Sequence, residues 1–237
     1  MAIRDPLGAD VPHDPVTSAA AETLLGHKFR RPALLTEALT HRSAAGAKGH
    51  GSNERLEFIG DRVLGLVVAE WLIERFPAEQ EGKLGPRLAA LVSKPALAAI
   101  AETHGVGDLL TVAAGEARRG VRLQPNVLAD AVEAMIGALY LDAGLAPARA
   151  FIRRVLAGAV EAQAAPPKDP KTALQEWALK RALPLPRYEL LEQSGPSHAP
   201  RFVVSVRVGE ASATAMAGAK RAAEQQAAQT LLERLPP

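Results

Sequence analysis

The sequence predicts an all-α domain followed by a small α+β module of element order α-β-β-β-α. Three observations carry that expectation. Apolar residues recur at helical spacing from about residue 17 to residue 162. The stretch 163–169 then brings Pro166 and Pro167, with Pro170 next, and such a cluster cannot continue a helix. Beyond it, Phe202, Val204, Val206 and Val208 alternate with Val203, Ser205 and Arg207, the period of a strand with one buried face. The expected division is a disordered tail at 1–16, a helical domain at 17–162, a linker at 163–169 and the α+β module at 170–237.

The tail sets Asp5, Asp10 and Asp14 among Pro6, Pro12 and Pro15. It has no apolar stretch preceded by basic residues, so it reads as a frayed end rather than a secretory signal. Leu24, Leu25, Leu34, Leu35, Ala38 and Leu39 recur at helical spacing. Residues 53–75 form a long apolar helix ending before Phe76-Pro77. Leu84 to Ala101 continues the helical pattern, with Pro86 expected in a first turn. Asn126 to Leu141 is a further helix, stopped by Asp142-Ala143-Gly144, and 147–163 is the last. In the module, Thr172 to Lys180 predicts a short helix. Tyr188 to Gln193 and Phe202 to Val208 predict strands around the turn-rich loop Ser194-Gly195-Pro196-Ser197-His198. Ser212 to Ala217 is a weaker strand, and Ala219 to Leu235 an alanine-rich helix. About 70 residues is near the lower limit for independent folding.

Apolar residues are 48% of the 237 and charged residues 23%, a globular rather than disordered composition. Charges interrupt every apolar run well short of a membrane span, so no membrane association is expected. The chain has no cysteine. That excludes disulfides, zinc fingers and thiol catalysis, and it fits a reducing cytoplasm. The net charge of +2 is uneven: residues 168–237 hold 10 Lys and Arg against 7 Asp and Glu. A small basic unit beside a near-neutral one hints at nucleic acid.

The carboxylates are the sharper signal. Glu54, Glu57 and Asp61 fall within a stripe of roughly 60° on the helix from Asn53. A solvated acidic face is one reading. Yet the same stripe continues as Leu64, Val68 and Leu72, and the other faces carry Leu56, Ile59, Val63 and Val67. A helix apolar nearly all round is buried, so its acids sit at the mouth of a core. In the run Val127 to Ile136 only Asp130 and Glu133 are polar, and no Lys or Arg in that run can pair with them. Burying an ionised carboxylate costs several kcal/mol without compensation. A divalent cation shared by both helices supplies it, and oxygen-only ligands suit Mg²⁺ or Mn²⁺. Distant arginines are the alternative.

Asn53-Glu54-Arg55-Leu56-Glu57-Phe58-Ile59-Gly60-Asp61 resembles the signature of the bacterial ribonuclease III family. Leu39-Thr40-His41-Arg42-Ser43 resembles the family's lead-in, Glu81-Gly82 falls where the family has an acid, and Leu128 to Ala134 resembles its second acidic motif. Asp169-Pro170-Lys171-Thr172 and Leu174-Gln175-Glu176 resemble the start of its double-stranded-RNA-binding domain. The likeness runs from about residue 17 to 235. It implies a homodimeric endonuclease for double-stranded RNA, needing no organic cofactor. Each subunit would hold one site, and the products would have 5′-phosphate and 3′-hydroxyl ends with short 3′ overhangs. It also implies a role in processing ribosomal RNA and other structured transcripts. Glu57, Asp61, Asp130 and Glu133 would hold Mg²⁺, with Mn²⁺ as a substitute. Asp61 would be a ligand or position the attacking water. Glu54 and Glu81 would support catalysis at the dimer cleft. Phe58 falls where the family inserts an aromatic into its partner, although an ordinary core position suits it equally. His41 reads as a local solvated or capping residue.

This chemistry suits the residues. Two divalent cations roughly 3.5–4 Å apart can activate water and stabilise both the phosphorus and the leaving oxygen of a phosphodiester. A-form RNA is recognised by shape across about 16 base pairs. Thr172, Gln175 and Glu176 would meet one minor groove, and Gly195, Pro196 and His198 the next. Lys220 and Arg221 would contact phosphate at a helix start. Three departures from the family pattern stand out. Ala215, Ala217 and Ala219 replace glycines and a serine cap, the alanines restricting a turn; Gly85-Pro86 displaces an arginine; and Gly115 to Gly120 is altered. None touches the six acids. A dimer that binds duplex RNA but cleaves little, and a structural helical protein with an incidental basic tail, are the competing readings.

Overall fold

Residues 15–46, 51–163, 169–196 and 200–236 are described in a computed structural model of the chain. The chain divides between Pro166 and Pro167 into two units. The expected tail and linker lie for the most part outside the described residues, as does His198.

The first unit is helical. It comprises α1 (Pro15–Leu25), α2 (Pro32–Ala38), α3 (Glu54–Arg75), α4 (Glu81–Leu91), α5 (Lys94–Thr103), the short α6 (Val106–Leu109) and α7 (Ala114–Arg118), a 3₁₀ turn at Val121–Leu123, α8 (Pro125–Ala143) and α9 (Leu145–Ala162). Proline opens the first turn of α2, α5 and α8, where its missing N–H removes no helical bond. Helix α8 is the axis: every residue from Val127 to Leu139 except Asp130 is buried. Helices α2, α3, α5 and α9 pack around it. Its C-terminal end is tied down by Asp142, whose buried carboxylate accepts from the Arg30 and Arg31 amides, both at 3.0 Å, and pairs with His27 Nε2 at 2.8 Å.

Two expectations change here. The pattern from Leu84 to Ala101 is two helices, because Val92 closes α4 and the Ser93 hydroxyl caps α5, accepting from Ala96 N. Pro86 sits inside α4 rather than in its first turn. The bond it deletes is to the Gly82 carbonyl, in an exposed first turn where water can satisfy it. Pro86 precedes the buried Arg87, which forks onto Glu79 (both contacts 2.8 Å), stacks 3.7 Å above the Phe76 ring and donates to the Gln163 carbonyl. The displaced arginine is therefore a buried strut between α4 and the end of α9.

The second unit is α10 (Pro170–Lys180), β1 (Arg187–Ser194), β2 (Arg201–Val208), β3 (Ala211–Ala217) and α11 (Lys220–Leu232). The strands form an antiparallel sheet of order β1-β2-β3. Val204, Val206 and Val208 alternate inward, and Leu174, Ala178, Ala213, Ala227, Ala228 and Leu231 complete the core. Gly209, at φ +56°, opens the two-residue turn between β2 and β3. Ala215 and Ala217 lie in β3, paired with Val204 and Phe202, so they do not restrict a turn as expected. Extended backbone accommodates alanine freely.

Candidate functional site

Two glycines set the position of the acids. A β-carbon on Gly60 of α3 would lie 2.6 Å from the Glu133 carbonyl carbon, and one on Gly137 of α8 would lie 2.9 Å from Ile59 Cγ2. The helices therefore cross with backbones in contact, and the carboxylates beside the crossing converge. The start of α3 is fixed by buried Asn53, whose N–H donates to the Thr40 carbonyl at 3.0 Å.

Glu57, Asp130 and Glu133 each offer an oxygen within 4.8 Å of the others. Burial, followed by the charges of Asp61, Glu57 and Asp130, pushes the Glu133 carboxyl up to about 7, opposed by Lys94. Burial and the Asp130 charge raise Glu57 as well. Two raised carboxyls beside a third acid, Asp130, gather negative charge at one place. Their oxygens are hard donors at a spacing one divalent ion can bridge.

Asp61 stands outside that group of three. It is half-exposed and accepts from Arg62 Nη1 at 2.9 Å, although its charge acts on Glu133. Glu54 is exposed and accepts from Ser52 Oγ at 2.7 Å. Glu81 stands in the first turn of α4, also outside the group. Phe58 is 63% exposed, with the Arg62 guanidinium 3.9 Å above its ring, so it is not a core residue of this chain. Leu66 and Ile73 are exposed with it, within about 80° of the same face of α3. His41 closes a local turn: its Nδ1 lies 2.8 Å from Ser43 Oγ, which accepts from Ala113 N. Burial lowers its pKa.

Sequence reasoning missed Lys94. Its ammonium lies 2.8 Å from Asp130 Oδ1 and supplies the cation that the Val127–Ile136 run lacks. It arrives from a separate helix, 36 positions away, and no local spacing announced it. The glycine pair was also missed, although an isolated glycine inside an apolar helix is a usable packing signal.

In the second unit, Asp169 caps α10, accepting from Thr172 N at 3.0 Å, and receives the Gln225 amide from α11. Lys171 pairs with Glu224 at 2.6 Å. These ties bring the two helix starts together. Thr172 and Gln175 of α10 and Lys220 and Arg221 of α11 line one open groove of about 710 Å³. Glu176 follows on α10, partly buried. Gly195, at φ +85°, and Pro196 begin the loop from β1 to β2.

An acid-bearing helical domain joined to an α-β-β-β-α module whose polar groove carries Lys220 and Arg221 points to a class, a nuclease coupled to a duplex-RNA-binding unit. Residues 31–160 match the Ribonuclease-III-like family and residues 170–235 the double-stranded RNA binding motif. Ribonuclease 3 of Dinoroseobacter shibae is 51% identical over 212 residues, covering 88% of this chain and 91% of that protein. Ribonuclease 3 of Azorhizobium caulinodans is 46% identical over 221 residues, covering 91% and 93%. The crystal structure of the nuclease domain of ribonuclease III from Campylobacter jejuni is 37% identical. It covers 62% of this chain and 97% of that one, with a TM-score of 0.57. The chain belongs to the ribonuclease III family, endoribonucleases of double-stranded RNA.

Proposed function

We propose that this chain hydrolyses double-stranded RNA with divalent metal held by Glu57, Asp130 and Glu133, with Asp61 joining them. The observation that carries this reading is the three-carboxylate group itself, with Glu133 pushed up to about 7 by burial and by the neighbouring acids. Mg²⁺ is the proposed ion and Mn²⁺ the substitute, since every donor is a carboxylate oxygen. Such an ion supplies an activated water and charge stabilisation at phosphorus. The protein's own part is to fix the donors through the α3–α8 crossing and, through Asp61, to orient the attacking water. Glu54 and Glu81 are proposed as supporting acids in a dimer cleft.

We assign the exposed Phe58, Leu66 and Ile73 stripe to a homodimer contact. A related nuclease-domain structure from Campylobacter jejuni is described as having a flexible region involved in dimer formation. Two sites cutting opposite strands give short 3′ overhangs with 5′-phosphate and 3′-hydroxyl ends. Ribosomal RNA precursors and other structured transcripts are the proposed substrates.

The groove at the starts of α10 and α11 is proposed to hold the duplex. Thr172, Gln175 and Glu176 would offer hydrogen bonds to a minor groove, and Gly195, Pro196 and His198 would reach the next. Lys220 and Arg221 would contact phosphate. Incubating the purified protein with a long end-labelled duplex tests the reading. Cleavage in Mg²⁺ that stops in chelator and in Ca²⁺ supports it. Binding without cleavage in Mg²⁺ favours a non-cleaving dimer instead.

A further inference from the structure

Lys94 is the first residue of α5, and its backbone is held firmly. The Ser93 hydroxyl donates to the Ala90 carbonyl at 2.8 Å and accepts from Ala96 N, while Leu97, Ala98 and Ala101 bury the helix against α8. From this fixed base a flexible four-carbon stem reaches across to α8. Its ammonium rests on Asp130 Oδ1 at 2.8 Å, with 53% of the side chain still exposed. The charges of Glu57 and Glu133 act on it as well. A half-exposed cation thus stands against Asp130, one of the three carboxylates proposed as the metal centre.

We propose that Lys94 is a tethered counter-ion of that centre, competing with the divalent ion for Asp130 and so setting the metal concentration at which the site fills. The inference rests on the metal reading above and adds a positioning residue to it. Two physical effects point the same way. Without metal, the ammonium relieves the repulsion among Glu57, Asp130 and Glu133, so a divalent ion gains less by entering. With metal, ammonium and ion repel each other across a few ångströms. Both weaken metal binding relative to a chain lacking this charge. The opposite role, in which Lys94 pre-orders Asp130 as a ligand, predicts that losing it weakens metal binding.

Isothermal titration of the metal-stripped full-length protein with Mg²⁺ and Mn²⁺ separates the two roles. An ion pair of this exposure corresponds to a change of about three- to tenfold. Lys94→Met should bind either ion tighter than wild type by that factor. Its melting temperature should also rise more on adding Mg²⁺. Lys94→Gln should move in the same direction, and it stands in if the methionine variant does not fold. Lys94→Arg, which keeps the charge, should bind no tighter than wild type. Equal or weaker metal binding by the uncharged variants, with wild type still binding, overturns the tethered counter-ion alone. Absence of binding to wild type overturns the metal reading and this inference together.

Discussion

A β-carbon placed on Gly60 would overlap the carbonyl group of Glu133, so the helix carrying Glu57 and the helix carrying Glu133 touch backbone to backbone. This crossing is what brings two acids distant in sequence within reach of one ion. Gly60→Ala should force α3 away from α8. Overpacking of this kind costs about 1–3 kcal/mol, or a melting temperature lowered by several degrees. Cleavage should fall with it, because the donors separate. Gly158→Ala, exposed in α9 with nothing near its β-position, should instead hold or raise the melting temperature. Thermal melts and cleavage rates of the two variants check this.

Glu133 predicts the direction of a pH dependence. Its carboxyl titrates near 7 when folded, against an ordinary value of 4.5. The metal-free native state therefore binds this proton more tightly than the unfolded chain. The stability it contributes is complete below 4.5 and is lost as pH rises through 7. In chelator, stability should fall between pH 5 and 8. Glu133→Gln should remove about 2–3 kcal/mol of that fall. Denaturant melts across the range read it directly; equal slopes in both proteins would contradict it.

Much of this fold was legible because its signals are local. The prolines at 166, 167 and 170, the alternation at Phe202 to Val208 and the acids of two apolar helices can be read by counting residues. What escaped depends on distant partners. Pro86 looked like a first-turn residue because the helix start at Glu81 has no strong cap: the Gln80 side chain makes no capping bond. Ala215 and Ala217 looked like part of a turn, but pairing with β2 keeps them extended. Helices as short as Val106–Leu109 hold too few residues to show a period. Lys94 could not be assigned to Asp130 until α5 was folded against α8. Phe58 was undecided between core and interface until its exposure was known.

That exposure leads to a prediction about assembly. Phe58, Leu66 and Ile73 present an apolar stripe on the helix that carries the acids. The full-length protein should sediment as a dimer at micromolar concentration. Phe58→Ala should raise the dimer dissociation constant by about tenfold or more, as for a buried aromatic anchor. A wild-type monomer at that concentration would contradict the interface.

The proposed RNA contact of α11 can be tested through salt. Lys220→Ala with Arg221→Ala should weaken duplex binding almost uniformly across sequences. The slope of log affinity against log salt should flatten by about 2, one for each phosphate that the variant no longer neutralises. Ala219 occupies the N-cap of α11 without a side-chain bond, so Ala219→Ser should add about 1 kcal/mol of stability or tighten binding slightly. Unchanged affinity and slope in the double variant would remove α11 from the interface.

The central proposal is that carboxylates from α3 and α8 act together through a metal to cut duplex RNA. Single-turnover cleavage by Glu133→Gln in saturating Mg²⁺, with duplex binding matched to wild type, tests it without intermediaries. The amide keeps the shape but offers a neutral, weaker oxygen. RNA affinity should be normal and cleavage reduced by at least about a hundredfold, the loss expected when transition-state charge stabilisation is withdrawn. A near-wild-type cleavage rate at equal RNA occupancy would contradict the mechanism.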